Sequence, residues 1–481
     1  MNKKNYWLLV LSLLVVGLSS FHPRHSFANQ SGLSGPKQKP NIVFIFADDW
    51  GWGDLSCHGH PYIKTPNIDR LAQAGTDFHR FSVASGVCSP SRAAVMTGHF
   101  PARYNIDGHF AWVSSNAKRN MPDWLGTEAP TIPKFLKQAG YRTAHFGKWH
   151  LANNMIPDSP VPTAYGYDEY GAFNCSGEQM PVHEDARSTI KFIESCHRDK
   201  KPFFVNLWIH EPHTPFHTVP KYRSRFRELE ETDNIYASVL SHADDRIGEV
   251  LDALDRLELA DNTLVIFSSD NGPARASSNA ELKLVHDTAT GAGYNLAAAK
   301  GVTGGRKGYK ASLFEGGVGV PFIARWPGKI AAGKIDDRSI LSAVDMLPTF
   351  CEVAGVELPE SYSPDGVSQV KTLQGNGTPN RIKPLFWKYP ARWPPRKGQP
   401  DHWVSFAVAH DNWKLVTNQD SSHVELYDLV SDPYESTDLS GAKPAVVKSL
   451  MEKLGTWKST LPAKPRGDVF SSERAKIETK Q

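Results

Sequence analysis

Short apolar runs alternate along this chain with longer segments in which apolar residues recur every three or four positions. Asn41–Ala47, with the sequence NIVFIFA, has the mostly apolar character of a strand buried on both faces of a sheet. Residues 236–257 carry an apolar stripe at helical spacing. Similar patterns predict helices at 65–75 and 131–140 and strands at 142–146, 203–209 and 264–268. This alternation predicts an α/β fold with a large mixed, mainly parallel sheet sandwiched by helices.

The pattern changes after about residue 380. A segment rich in Pro, Arg and Lys lies between Pro390 and Pro400, and residues 404–409 and 413–417 resemble short antiparallel strands. We therefore predict a main unit at residues 29–380 and a smaller C-terminal α+β subdomain at residues 381–481. The sequence has no internal repeat and no low-complexity tract.

The first 28 residues have the pattern of an export signal. Lys3 and Lys4 precede a mostly apolar run, and small residues around Ala28 suit cleavage. The run is shorter than the about 20 apolar residues that span a bilayer; an uncleaved N-terminal anchor is the alternative. We expect an exported protein, periplasmic or extracellular, with no stable membrane insertion after the signal is cleaved.

The charge balance of the chain gives no support for binding to nucleic acid. The 481 residues carry a formal charge of +3, and removal of residues 1–28 leaves 51 basic and 51 acidic groups. Any attraction for an anionic substrate therefore has to be local.

An odd number of cysteines in an exported chain raises the question of which one is chemically distinct. The five are Cys57, Cys88, Cys175, Cys196 and Cys351. If Cys88 is consumed by modification, four remain. A Cys175–Cys196 disulfide is one option, and the sequence leaves the pairing open.

Two pairs of oxygen-bearing side chains follow two of the predicted strands. Asp48 and Asp49 come directly after the first strand, and Asp270 and Asn271 follow the strand predicted at 264–268. Open α/β sheets bind ligands beyond the carboxyl ends of their strands, and Ca²⁺ prefers oxygen ligands. Either pair by itself is explained as a turn, but together they predict a site for a hard metal cation such as Ca²⁺.

Residues 86–98, GVCSPSRAAVMTG, are predicted to be a loop that enters a helix at Pro90 or Ser91. The N-terminus of a helix presents unpaired N–H groups that suit an anion. A thiol placed there, such as that of Cys88, is expected to have a lowered pKa. A structural cysteine at the start of a helix is the alternative.

This segment resembles the sulfatase signature Cys-x-Pro-x-Arg, with Cys88, Pro90 and Arg92 in the signature positions. Other stretches resemble the same family in the same order, namely Asp48-Asp49, residues 140–150 (GYRTAHFGKWH), 211–215 (EPHTP), 269–272 (SDNG) and 308–317 (GYKASLFEGG). The resemblance covers about residues 40–355. It departs at Phe146, where the family usually has a smaller residue. The chain is thus similar to type I sulfatases of the alkaline phosphatase-like superfamily. The resemblance implies that the unit predicted at residues 29–380 is the catalytic domain.

The resemblance implies a chemical role for each motif. Cys88 is converted to formylglycine (3-oxoalanine) by a transient partner, a formylglycine-generating or sulfatase-maturating enzyme, and the hydrated aldehyde attacks sulfur. One Ca²⁺ is held by residue 88 with Asp48, Asp49, Asp270 and Asn271. By the same resemblance, Arg92 orients the aldehyde, and Lys148 and Lys310 neutralise the sulfate. His213 protonates the leaving oxygen. His150 removes a hydroxyl proton during the release of sulfate.

Other histidines carry weaker expectations. His210 is a less favoured candidate for the acid, and His217 is expected to be peripheral. His145, His197 and His242 are expected to be solvated or core residues.

Two alternatives to a sulfatase stay open. A phosphonate or phosphate monoester hydrolase of the same superfamily is the first, although most such relatives hold two metals and have His where this chain has Asn271. A carbohydrate-binding relative that never receives the modification is the second. Against it, the acid, base and cation positions are all filled.

The substrate is expected to be a sulfated carbohydrate, because the chain most resembles carbohydrate sulfatases similar to N-acetylgalactosamine-6-sulfatase. Four tryptophans in segments predicted as loops are candidates for stacking on sugar rings. They are Trp112, Trp124, Trp387 and Trp393.

Overall fold

The computed structural model describes residues 38–276, 281–295, 301–378, 381–391, 395 and 397–478. The predicted export signal at 1–28 and the side chain of Trp393 lie outside the described residues. Gln38–Gln481 form one compact unit, and the boundary predicted at residue 380 stays a prediction.

The secondary structure is numbered here in chain order. The strands are β1 (Asn41–Ala47), β2 (Thr76–Phe78), β3 (Phe81–Ser82), β4 (Arg142–Lys148), β5 (Glu169–Phe173), β6 (Phe203–Trp208), β7 (Thr263–Ser269), β8 (Lys283–Asp287), β9 (Gly291–Asn295), β10 (Phe322–Arg325), β11 (Lys334–Asp336), β12 (Leu341–Ser342), β13 (Leu385–Lys388), β14 (Phe406–His410), β15 (Trp413–Thr417) and β16 (Val424–Asp428). The helices are α1 (Pro66–Gln73), α2 (Cys88–Thr97), α3 (Val113–Lys118), α4 (Ile132–Gln138), α5 (Asp185–Arg198), α6 (Pro220–Arg223), α7 (Glu231–Arg256), α8 (Glu315–Val318), α9 (Met346–Ala354), α10 (Val370–Leu373), α11 (Pro444–Ser459) and α12 (Ser472–Glu478).

An eight-stranded sheet with the order β11-β2-β10-β7-β1-β6-β4-β5 forms the centre of the fold. Its pairs are parallel except for β10, which runs antiparallel to both β2 and β7. Alternate residues of β1 point to opposite faces. Phe44 packs in the core that includes Phe350 of α9, whereas Val43 packs in the core that includes Ile247 of α7. Helices therefore cover both faces of the sheet, and the predicted α/β sandwich is confirmed.

A smaller antiparallel sheet, β13-β14-β15-β16, forms the C-terminal part, as the sequence predicted. Trp457 of α11 stacks on Phe386 of β13, with ring centroids 4.9 Å apart. At the start of this part, Arg381 donates two parallel hydrogen bonds of 2.6 Å to Asp345, and both side chains are buried.

The structure corrects several expectations. Helix α2 begins at Cys88, two residues before the predicted start. Trp124 and Trp387 are buried, and each donates its indole N–H to a backbone carbonyl, so a sugar-stacking role is wrong for both. Trp112 is 59% exposed.

The five cysteines are all free thiols, so the optional Cys175–Cys196 disulfide is not formed. In the part of the chain that the structure describes, no helix combines the length and apolar character needed to cross a bilayer.

Candidate active site

The site lies at the carboxyl edge of the large sheet, where β1 and β7 end side by side. Ala47 pairs with Ser269 in register, and the next amide, that of Asp270, donates to the Ala47 carbonyl at 3.0 Å. The chain turns at Asp49, which has a φ of +65°. Asn271 Nδ2 donates to Asp49 Oδ1 at 2.6 Å. The sequence-predicted acidic pairs are therefore brought together.

The donor set at this edge fits a hard divalent cation. Asp48, Asp49, Asp270 and Asn271 are all at most 4% exposed. The side-chain carbonyl oxygen of Asn271, Oδ1, is buried without a hydrogen-bond partner. Such an atom destabilises the fold unless an ion or a water is bound to it. Burial raises the pKa of Asp49 and raises that of Asp270 to about 6. A calcium ion bound between these buried carboxylates would favour their ionised form.

Cys88 starts helix α2 beneath this carboxylate group. The Sγ atom lies 3.5 Å from Asp48 Oδ1 and 3.6 Å from Lys148 Nζ, and the residue is 2% exposed. Burial, and then the charge of Asp270, raise the pKa of the thiol. The lowered pKa predicted from the helix N-terminus is therefore wrong, because desolvation of the thiolate outweighs the helix. An unmodified thiol here would stay protonated and would be a poor nucleophile.

Arg92 lies one turn further along α2 and is fully buried. Its Nε and Nη2 donate to Asp270 Oδ2 at 2.9 and 2.7 Å, and its Nη1 donates to the Lys148 carbonyl at 3.1 Å. The guanidinium also lies over the Trp208 ring, 4.9 Å from the centroid. Its hydrogen bonds go to Asp270 and to the strand that carries Lys148.

Two lysines reach the carboxylates from different sides. Lys148 Nζ donates to Asp48 from a side chain that is 1% exposed. Lys310 Nζ lies 2.7 Å from both oxygens of Asp49, and its side chain is 22% exposed. Burial favours protonation of Asp48, but electrostatic interactions with His213 and with the charged Lys148 and Arg92 hold its pKa well below the usual value.

The close approach of Lys148 depends on the glycine before it. Gly147 has a φ of +104°, and a Cβ there would lie 2.1 Å from the Trp208 carbonyl oxygen. Phe146, which is larger than the residue usual in the family, packs against Phe192 of α5 on the face of the sheet that α5 covers. The departure from the family pattern at this position thus falls outside the site.

His213 faces the carboxylates at the opening of the site. Its Nε2 lies 3.9 Å from Asp49 Oδ2, and its Nδ1 donates to the Thr214 carbonyl at 2.5 Å. One donor atom each of Asp48, Asp49, Cys88 and His213 lies within 4.8 Å of the others. Burial lowers the pKa of His213 well below its ordinary value, so the ring is neutral.

His150 has the opposite arrangement of ring nitrogens. Its Nε2 donates to the Phe110 carbonyl at 3.1 Å, which leaves a lone pair on Nδ1. That Nδ1 atom is buried without a hydrogen-bond partner. Burial, and then Lys148, lower the pKa of His150 well below its ordinary value. The ring is therefore a neutral proton acceptor.

Sequence reasoning missed several residues around the site. Asn153 Nδ2 donates to the same Phe110 carbonyl that accepts from His150. Burial and nearby cations, among them Lys310 and Lys148, lower the pKa of His109 to about 4. Tyr389, from the C-terminal part, is close enough for Lys310 and Cys88 to influence its pKa, which burial raises. None of these residues lies in a recognisable motif, so the sequence carried no signal for them.

Residues 40–356 match the Sulfatase family. The chain belongs to the sulfatase family. This protein is therefore a sulfuric ester hydrolase. Residues 307–460 also match the family described as N-sulphoglucosamine sulphohydrolase, C-terminal, so the sulfatase likeness extends into the C-terminal sheet.

Curated sulfatases align along most of the chain. N-acetylgalactosamine-6-sulfatase of Sus scrofa is 29% identical over 92% of this chain and 87% of its own length. N-acetylgalactosamine-6-O-sulfatase of Bacteroides thetaiotaomicron is 27% identical over 88% of this chain and 94% of its own length. The crystal structure of Ps i-CgsB in complex with k-i-k-neocarrahexaose superposes with a TM-score of 0.72. It is 27% identical and covers 92% of this sulfatase and 97% of that chain.

Proposed function

We propose that this sulfatase removes sulfate from a sulfated carbohydrate, using formylglycine made from Cys88 and one calcium ion. The observation that carries the proposal is the convergence of Cys88, His213, Asp48 and Asp49, whose donor atoms all lie within 4.8 Å. We further propose a transient encounter with a maturating enzyme, because a raised thiol pKa makes unmodified Cys88 a poor nucleophile. Export of the protein is proposed from the signal pattern of residues 1–28.

The residues proposed to hold calcium are Asp48, Asp49, Asp270 and Asn271, together with the modified residue 88. The hydrated aldehyde would supply the oxygen that attacks sulfur, and the cation would supply positive charge beside the sulfate oxygens. Without a metal, the positive charges of Arg92, Lys148 and Lys310 balance the three carboxylates. A divalent cation gives the site an excess of positive charge, which suits an anionic ester.

The two lysines have different tasks in this proposal. Lys148 is buried and contacts both Asp48 and Cys88, so it orients the reacting position. Lys310 is more exposed and turns its ammonium toward the opening, where it can bind sulfate oxygens. Arg92 keeps Asp270 ionised and aligned through two hydrogen bonds.

The histidines divide the proton transfers. His150 Nδ1, neutral and unpartnered, is suited to take a proton in the step that releases sulfate. His213 Nε2 lies at the opening, where a leaving oxygen would sit. Because Nδ1 already donates to Thr214, proton donation from Nε2 requires the imidazolium form. An anionic ester bound beside the ring favours that form.

The substrate proposal rests on the relatives. Two are named for the 6-sulfate of N-acetylgalactosamine, and one structure is a complex with k-i-k-neocarrahexaose. Trp112, largely exposed, is the tryptophan best suited to contact a sugar ring among those in the described residues. A 6-sulfated N-acetylgalactosamine glycoside is therefore the first substrate to assay.

Mass spectrometry of the peptide that contains residue 88 tests the nucleophile. Active enzyme is expected to carry formylglycine there, and Cys88→Ala is expected to fold normally and to be inactive. Fully active protein with an intact cysteine at position 88 would refute the mechanism.

A comparison of esters tests the reaction class. Aryl sulfate and sulfated N-acetylgalactosamine should be hydrolysed far faster than the matching aryl phosphate and phosphonate esters. Preference for a phosphorus ester would instead assign the site to the related monoester hydrolases.

A further inference from the structure

A second group of metal-ligand side chains lies behind the active site, between α5, α7 and the loop after β6. We define the histidine–glutamate cluster as His183, Glu211, His217 and His242. One donor atom each from His183, Glu211 and His242 lies within 4.8 Å of the other two. The ring of His183 is 4.3 Å from that of His242 and 6.1 Å from that of His217, between centroids.

The polar atoms of this cluster are buried and lack hydrogen bonds. They are His183 Nε2, Glu211 Oε1, His217 Nε2 and His242 Nδ1. His183 Nε2 and Glu211 Oε1 lie 2.8 Å apart as a close pair without hydrogen-bond geometry. His217 Nε2 and His242 Nδ1 are buried without a partner. A buried donor or acceptor without a partner costs about 1–3 kcal/mol, so these two nitrogens call for an occupant.

The orientation of His217 fits the same explanation. Its Nδ1 lies 3.0 Å from the Ala292 carbonyl, which can only accept, so the proton is on Nδ1. The other nitrogen, Nε2, therefore presents a lone pair from a buried position. Metal-ligating histidines commonly donate their second nitrogen to a backbone carbonyl in this way.

The charged side chains around the cluster are compatible with a bound cation. Arg246 pairs with Glu211 through Oε2 and with Asp185, and all three side chains are buried. One guanidinium thus serves two carboxylates. Arg246 donates to Oε2 of Glu211, so Oε1, which lies beside His183, can bind an additional cation.

We propose that the histidine–glutamate cluster binds one divalent transition-metal ion, of which Zn²⁺ is the best match. Imidazole nitrogens and a carboxylate oxygen are a common zinc donor set, with bonds of about 2.0–2.2 Å. The ligand atoms of such an ion are roughly 3.3 Å apart, and the donor atoms of His183, Glu211 and His242 lie within 4.8 Å of one another. Ca²⁺ prefers oxygen ligands, so the two metal sites select different ions.

This site assigns functions to residues for which the sequence suggested none. His242 was expected to be a core or solvated residue and His217 to be peripheral. The loop that contributes Glu211 and His217 also contains His213. The His210 ring lies between the two sites, 5.4 Å from His217 and 5.6 Å from His213, between centroids.

Zinc binding to the full-length protein tests the proposal. Chelated protein is returned to calcium buffer, and bound zinc is counted for wild type and for His183→Ala/His242→Ala. The double variant should bind one equivalent fewer than wild type. Zinc should also raise the melting temperature of wild type more than that of the variant. The control, His197→Ala/His286→Ala, removes two exposed histidines and should match wild type.

Cobalt spectroscopy of wild type alone keeps the proposal testable if the double variant does not fold. Co²⁺ held by imidazole and carboxylate gives visible absorption without the intense sulfur-to-cobalt band. That band would instead mark binding at the Cys57–His58–Asp77 group or at unmodified Cys88 in the active site. Wild type that takes up no zinc or cobalt, shows only sulfur-bound cobalt, or equals a folded double variant in zinc content would overturn the proposal. None of these readouts depends on sulfatase activity.

Discussion

At the residue scale, His150 and His213 differ in which ring nitrogen is free. In His150, Nε2 is fixed by Phe110 and Nδ1 is free, whereas in His213, Nδ1 is fixed by Thr214 and Nε2 is free. His150 is deeply buried, and His213 lies at the opening with 26% of its side chain exposed. These differences predict different kinetic defects when each is removed.

We expect His213→Ala to slow hydrolysis of a sugar sulfate by about 10²–10⁴-fold and that of a nitrophenyl sulfate much less. A nitrophenolate leaves without help, but a sugar alkoxide needs a proton. Steady-state rates with the two esters measure the difference. Equal loss on both esters would contradict the acid role.

His150→Ala should affect both esters alike, because release of sulfate is the same step for each. A single burst of product followed by little turnover is the expected time course. Rapid-mix kinetics measures the burst, and His145→Ala is the comparison, since His145 is also buried but lies among Trp149, Trp208 and Tyr167. A leaving-group-dependent defect in His150→Ala would reverse the two assignments.

The structure brings the sequence-predicted motif residues together, but their environment was not predicted. Asp48 and Asp270 were singled out because they follow predicted strands and lie in family motifs, and Lys310 because it lies in a family motif. The thiol pKa of Cys88 was predicted in the wrong direction, because a helix start is visible in sequence whereas burial by distant segments is not. Tyr389 and His109 were missed for the same reason: they reach the site only through tertiary packing.

At the scale of single elements, buried strands were the most predictable. Asn41–Ala47 matches its predicted bounds, since a strand covered on both faces needs a nearly continuous apolar run. Trp413–Thr417, predicted as a short antiparallel strand, also matches its predicted bounds. Helix α7 begins at Glu231, five residues before the predicted start, because its first turn is polar. The antiparallel pairing of β10 depends on neighbours far along the chain and left no local pattern.

The loop after β1 is held by a buried carboxyl that makes a pH-dependent contribution to stability. Asp54 accepts hydrogen bonds of 2.8 Å from the Gly51 and Val302 amides and from the Tyr236 hydroxyl. Burial nevertheless raises its pKa to about 7. Between the unfolded pKa of about 4 and about 7, the folded state binds more protons than the unfolded state.

The contribution of Asp54 to the free energy of unfolding should therefore fall as pH rises from 4 to 7. The change is on the order of 4 kcal/mol at most, at about 1.4 kcal/mol per pKa unit. Denaturant unfolding of wild type and Asp54→Asn at several pH values measures it. The variant cannot titrate, so its stability should fall less over this range; identical slopes would contradict the prediction.

At the scale of the whole molecule, Arg381 and Asp345 connect the C-terminal part to α9. Arg381→Ala leaves Asp345 as a buried, unpaired charge, which should cost about 3–5 kcal/mol of unfolding free energy. Arg256→Ala is the matched control, because its partner Glu194 and Arg256 itself are largely exposed. That change should cost less than about 1 kcal/mol. Equal effects in denaturant unfolding would show that the buried pair contributes little.

Calcium should stabilise the folded protein, because the proposed ligands come from the ends of both β1 and β7. Chelation is expected to abolish activity and lower the melting temperature, and added calcium should restore both. Bound calcium is expected to raise the free energy of unfolding by about 2.7 kcal/mol at a calcium concentration 100-fold above Kd. In Asp49→Ala the melting temperature should not respond to calcium, whereas Asp261→Ala, which removes an exposed carboxylate, should behave as wild type. A calcium response retained in Asp49→Ala would contradict the ligand set.

The burial of Cys88 also sets an order of events during biosynthesis. Residue 88 leaves the ribosome before Lys148, His213, Asp270 and Lys310, the groups that enclose it, and in the finished fold only 2% of it is accessible. A maturating enzyme has to bind the segment around the cysteine, so the proposed oxidation must occur while this part of the chain is still extended. Protein that folds before it is modified should therefore not be modified until it is unfolded again.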